Sequence, residues 1–176
     1  MIGDGPDYKI DTDWLDRVQE VVDYVVDNDM FAIVNMHGDG YYTVDHSWLL
    51  CAEDDDKQTE IKDKYGKVWT QIADRFKDYD QHLIFESMNE EFNNDYGKPD
   101  EKAYDNINAY NQIFVDSVRA TGSNNEKRWL LLPGWNTNID YTAGDDYNFK
   151  IPTDNGCKAD GKRIMICLLY TSDAAD

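Results

Sequence analysis

The chain has 176 residues, and 36 Asp and Glu against 17 Lys and Arg leave a formal net charge of −19. That balance excludes a nucleic-acid binder, which needs a basic face for phosphate, while 41% hydrophobic and 13% aromatic residues supply the core of one globular domain. No apolar run reaches the ~18 residues of a membrane span, and the N-terminal MIGDGPDYKIDTDW lacks the basic and apolar regions of a signal peptide, so a soluble chain with no membrane partner is expected.

Periodicity predicts a first helix from about Asp13 to Asn28, with Trp14, Leu15, Val18, Val21, Val22, Val25 and Val26 on one apolar stripe and Asp11 or Thr12 as its cap. Phe31–Met36 is short, apolar and branched, which predicts a strand buried on both faces. A loop rich in Gly, Tyr and Asp follows, and its acidic run Glu53–Asp56 reads as solvated loop because it lacks the glycine and spaced oxygens of a calcium loop. A second helix is predicted from about Thr59 to Tyr79, with Trp69 in the core. His82–Met88 is a second strand, and Glu101–Ala120 is a third helix ending before Gly122. Arg128–Leu132 and Arg163–Ile166 complete the strands, separated by a long polar segment from Asn136 to Gly161.

Strands alternating with helices predict an α/β class with parallel pairing and right-handed crossovers. The strands start roughly 44 residues apart, so a barrel of eight such units would run to roughly 350 residues, within the range of that fold. The chain is expected to hold about half of one. The tail CLLYTSDAAD, Cys167–Asp176, closely resembles the translation of a transposase-type sequencing adaptor. Residues 1–166 are therefore read as part of a catalytic domain, and 167–176 as an artefact.

In a parallel sheet the residues past the C-terminal strand ends gather on one face, where such enzymes keep their chemistry. Asn35, His37 and Asp39 follow the first strand; Asn89, Glu90 and Glu91 follow the second; Trp135, Asn136 and Asn138 follow the third. Tyr41, Tyr42 and Trp48, then Trp135, Tyr141 and Tyr147, place aromatic rings in the same loops, and such rings pack on the C–H face of a sugar. Metal chemistry is the competing reading of His37, Asp39, Asp45, His46 and Glu90, but neither H-x-H nor H-E-x-x-H occurs. Cys51, Cys157 and Cys167 show no metal or disulfide spacing, and no Gly-rich phosphate cradle is present. No cofactor is expected.

The string LIFESMNEE, Leu83–Glu91, in which an apolar strand ends in an Asn-Glu pair, resembles the fourth strand of glycoside hydrolase family 5, the cellulase family of (β/α)₈ barrels. NMHGDGYY, Asn35–Tyr42, resembles the end of its third strand, and LLLPGWNTNID, Leu130–Asp140, its fifth strand and loop. The resemblance implies that Glu90 is the general acid/base, that Asn89 hydrogen bonds the 2-hydroxyl of the sugar, and that His37 is the active-site histidine. It implies a partial barrel running from the helix after the second strand into the sixth strand. Gly38 and Glu91 depart from the family pattern, where many members carry His and Pro.

Breaking a glycosidic bond needs a carboxyl group that still carries its proton near neutral pH, a state favoured by burial and a neighbouring carboxylate. Glu86, four residues earlier on the same face, lies deeper and reads as a structural group. The implied function of the parent is endoglucanase-like hydrolysis of β-1,4-glucan by a retaining two-glutamate mechanism, with substrate contacts at His37, Asn89, Trp135, Asn136, Tyr41 and Trp48. The nucleophile is expected from the seventh strand, outside the chain. A monomeric, extracellular or cell-surface parent is expected. The reading from another class is a non-catalytic module that binds polysaccharide through its aromatic loops.

Overall fold

A computed structural model describes residues 2–37, 55–90, 98–144 and 148–168. Its elements are α1 (Thr12–Val26), β1 (Ala32–Asn35), α2 (Asp55–Arg75), β2 (Leu83–Glu86), α3 (Glu101–Ala120), β3 (Leu130–Pro133), α4 (Ile139–Ala143) and β4 (Ile164–Cys167). Each strand pairs in parallel with the next, in the order β1-β2-β3-β4. A doubly wound sheet reverses its strand order at a switch point, whereas this sequential order is that of a barrel wall, as expected.

The helix ends follow from local chemistry. Asp11 accepts the Trp14 N–H at 3.0 Å and Asp100 accepts that of Ala103 at 2.8 Å, each satisfying a donor that the first turn leaves over. Gly122, at φ 71 and ψ −154, takes a backbone conformation open to glycine just past the end of α3. The second helix begins four residues before the predicted start, so Asp55 and Asp56 of the acidic run belong to its first turn rather than to the loop, and the Asp56 carboxylate lies toward the positive end of the helix dipole. It also stops earlier, at Arg75, and the chain turns through 76–78.

The core lies between the sheet and the helices α2 and α3. Tyr65, Trp69, Phe76, Leu83, Phe85, Tyr110, Phe114 and Leu130 are fully buried there, and Trp69 meets Phe114 edge-on with centroids 4.5 Å apart. Each such side chain contributes on the order of 2 kcal/mol through burial. Period-2 alternation then places Ile84 and Glu86 on the opposite, inner face of β2.

Two expectations are corrected. Trp14, expected on the buried stripe of the first helix, is 48% exposed, and the segment Phe31–Met36, expected to be buried on both faces, exposes Phe31 and Ile33 by 61% and 55%. The cause is shared: β1 is an edge of the described sheet, so its inner face and the outer flank of α1 lack a covering layer. The polar segment before β4 also holds more structure than its composition suggested. Beyond α4, the stretch 148–154 is strapped along α3, with Asn108 bonded to Asn148 and Lys150, Gln112 to Thr153, and Arg119 to Asp154 through two contacts of 2.8 and 2.9 Å.

At the N-terminal edge of the sheet, Arg128 is 2% exposed and spends every N–H of its guanidinium. Nε donates to Asn125 Oδ1, Nη1 to the carbonyls of Asp80 and Leu83, and Nη2 to those of Phe76 and Tyr79, all at 2.6–3.0 Å. The guanidinium also stacks over Phe85 at 4.8 Å. Burial pushes its pKa down to about 10, which leaves it charged at neutral pH. This one side chain stitches the α2–β2 turn to the start of β3.

Candidate active site

The C-terminal ends of β1 and β2 lie side by side. Asn35 is in register with Glu86, and past the last pair the Asn89 N–H donates to the Met36 carbonyl at 3.0 Å. That bond joins the two strands past their last registered pair, and His37 and Glu90 are the residues that follow it on each strand. His37 is exposed and Glu90 half-buried. Both Asn89 and Glu90 have interaction partners.

Below this mouth, Glu86 is 8% exposed and accepts from Asn35 Nδ2 at 2.7 Å. The Cys167 thiol, at the end of β4, is pushed up to about 12 by burial, by its hydrogen bond to Glu86, and by the charges of Glu86 and Glu90. Glu86 is the deeper of the two and is held by a neighbouring strand, as expected of a structural group.

Behind β2, a buried polar cluster faces the helices. The Ser87 carbonyl accepts from Tyr65 OH at 2.7 Å and from Trp69 Nε1 at 3.1 Å. Its hydroxyl donates to Asn111 Oδ1 at 2.7 Å, and Asn111 Nδ2 donates to the Pro133 carbonyl at 3.1 Å. Ser87 and Asn111 escaped the sequence reading, and Tyr65 and Trp69 were read only as core residues of the second helix. Asn111 carried a usable signal, since it lies four residues after Ile107 and three before Phe114 on the apolar stripe of α3, where a polar side chain needs a buried partner.

The end of β3 departs from expectation. Trp135, expected as a sugar platform, is fully buried and joins the hydrophobic core, so it presents no ring face in the described structure. The chain turns sharply there: Gly134 lies so near Thr142 that an added Cβ would fall 1.8 Å from its hydroxyl oxygen. Asn136 and Thr137 follow at φ 49 and φ 47. A branched residue such as Thr rarely adopts that conformation, and strain of this kind gathers at functional sites. Asn136 is half-buried at the mouth. Asn138, grouped with the strand-end chemistry in the sequence, instead caps α4 by accepting the N–H of Asp140 at 2.8 Å and of Tyr141 at 3.3 Å.

Of the remaining expected residues, Tyr41 and Trp48 lie outside the described residues, as do Gly38, Asp39, Tyr42, Asp45, His46, Glu91 and Tyr147. Among the described residues no group of three or more His, Cys, Asp or Glu could hold a metal ion.

Comparison with known proteins extends this geometry. The profile of the Cellulase family, glycosyl hydrolase family 5, matches residues 1–168. The chain is similar to Endoglucanase A of Paenibacillus barcinonensis, at 51% identity over 175 residues that cover 97% of the chain and 43% of that protein. Among solved structures it is similar to a family 5 xyloglucanase from Paenibacillus pabuli in complex with ligand, with a TM-score of 0.92, 54% identity, and 98% and 48% of the two chains covered. A GH5-4 broad specificity endoglucanase from Ruminococcus champanellensis with bound cellotriose gives a TM-score of 0.78 at 37% identity, covering 94% and 45%. The chain spans less than half the length of each of these relatives.

Proposed function

The chain belongs to glycosyl hydrolase family 5, and from that premise we propose that the whole protein hydrolyses internal β-1,4 linkages of a glucan with retention, Glu90 being its general acid/base. The observation that carries this reading is the delivery of Asn89–Glu90 beside His37 at the mouths of two adjacent parallel strands.

The mechanism is that of a retaining pair of carboxyl groups. In the first step the Glu90 carboxyl protonates the departing glycosidic oxygen while a second carboxylate, roughly 5 Å away, attacks the anomeric carbon. In the second step Glu90, now a base, takes a proton from water as the covalent intermediate is released. The second carboxylate comes from a later strand that the 176 residues do not contain. Asn89 contacts the sugar's 2-hydroxyl, a bond that strengthens toward the transition state, and His37 and Asn136 border the subsite where the bond breaks. Tyr41 and Trp48 are proposed as aromatic contacts to the sugar.

The relatives include a xyloglucanase and broad specificity endoglucanases, which supports a β-glucan backbone as substrate. The test is the full-length protein, recovered from its gene, on carboxymethylcellulose, xyloglucan, mixed-linkage glucan and mannan. Reducing ends released from at least one β-glucan, with the anomeric configuration retained by NMR, are expected. Inversion, or no hydrolysis of any β-glucan, overturns the reading.

A further inference from the structure

We propose that Tyr65, Ser87 and Asn111 are positioning residues that fix the end of β2 so that Glu90 meets the leaving-group oxygen, a role that rests on the reading of Glu90 as acid/base.

All three are fully buried in the layer that also holds Trp69, Phe85, Met88, Tyr110 and Phe114. Apolar residues of the same shape would satisfy that layer without hydrogen bonds, and a polar cluster there adds little net stability. What it adds is geometric definition. Ser87 is the first residue past β2, three positions before Glu90, and every polar group it owns is directed to a different element. Its N–H donates to the Leu131 carbonyl on β3 at 2.9 Å. Its carbonyl takes the Tyr65 hydroxyl and the Trp69 indole of α2, and its own hydroxyl reaches Asn111 of α3 and lies 2.8 Å from Tyr65 OH.

Asn111 carries the link onward to the Pro133 carbonyl, the last residue of β3 before the turn that holds Asn136. One cluster therefore sets the relative height of two strand mouths against both helices behind them. It sits at the C-terminal edge, three residues from the proposed acid, whereas the bonds of Arg128 do comparable work at the opposite edge, remote from any chemistry. An acid displaced by about 1 Å loses on the order of 10²-fold in rate, so this edge is where fixed geometry matters.

The test uses the full-length protein with Tyr65→Phe and Ser87→Ala, each of which deletes one oxygen and leaves the packing in place. Two substrates are compared: a cello-oligosaccharide, whose leaving group needs a proton, and an activated aryl cellobioside, whose leaving group does not. Glu90→Gln serves as the reference for a lost acid. Each variant is expected to lose about 10- to 100-fold in kcat on the oligosaccharide, with KM within about twofold and the first step on the aryl substrate nearly intact. A merely structural role predicts a lowered Tm with equal losses, or none, on both substrates, and either pattern overturns the proposal. If Glu90→Gln itself shows no selective loss on the oligosaccharide, the acid/base reading fails and the proposal falls with it. If Ser87→Ala does not fold, Tyr65→Phe, which keeps the whole ring, decides alone.

Discussion

Arg128→Lys keeps the charge and most of the length of the side chain but removes the fork. The guanidinium uses five N–H donors on five acceptors. An ammonium offers three, so at least two acceptors in a site only 2% exposed lose their partner. Leaving a buried acceptor unsatisfied costs about 1–3 kcal/mol, which sums to roughly 2–6 kcal/mol, and the stacking over Phe85 weakens as well. In a protein of this size or larger, that lowers Tm by roughly 5–15 °C. Urea unfolding of the full-length wild type and variant, followed by circular dichroism, measures the difference. A change below about 0.5 kcal/mol would show that these carbonyls find water instead, and the stitching role assigned to Arg128 would be wrong.

Asp154→Ala leaves the guanidinium of Arg119, whose side chain is 3% exposed, without its carboxylate; a loss of about 3 kcal/mol and faster amide exchange along 148–154 are expected, and unchanged exchange would refute the strap. The purified 176-residue chain should not hydrolyse carboxymethylcellulose, because a retaining enzyme needs a second carboxylate about 5 Å from the first; turnover, with host enzymes excluded, would contradict the assignment. The Cys167 thiol, raised from 9.0 to about 12 in the folded state, keeps its proton where the unfolded thiol loses it. Its contribution to stability is therefore full below about pH 9 and is lost as pH rises toward 12. At pH 8 the folded chain should alkylate at Cys167 far more slowly than the chain in urea, and equal rates would remove both carboxylates from its surroundings.

Much of this arrangement is written in periodicity. Tyr65, Trp69 and Phe76 on one helix stripe and Leu83 and Phe85 on one strand face could be assigned to the core because burial is what repeats at those spacings. The same logic misplaced Trp14 and Ile33, since an apolar stripe reports a surface that can be covered, and the covering layer is absent from the described residues. Trp135 failed differently. An aromatic residue at a strand mouth suits a sugar platform or a core plug equally well, and the close approach of Gly134 to Thr142, which turns the chain inward, has no signature in spacing. Apart from the bond of Arg128 to Asn125, the bonds around Ser87 and those made by the Arg128 guanidinium join residues 18 to 52 positions apart, and such pairings become visible only once the sheet is assembled. The position of Asn89–Glu90 past a strand end was legible because it is a topological property, and topology follows from the order of helices and strands; the role proposed for Glu90 rests on the resemblance of LIFESMNEE to the family.

The central claim is that Glu90 carries the proton, and Glu90→Gln in the full-length protein tests it most directly. The amide keeps the size of the side chain and cannot transfer a proton, so hydrolysis of polymer should fall by about 10²–10⁴-fold. An aryl cellobioside with an activated leaving group should still form the covalent glycosyl-enzyme, which accumulates for want of a base. Azide, a nucleophile that needs no base, should restore turnover and yield the β-glycosyl azide. Near-normal polymer hydrolysis by Glu90→Gln, with activity abolished instead by Glu86→Gln, would transfer the role to Glu86; full activity in both would contradict the glycosidase reading of β2.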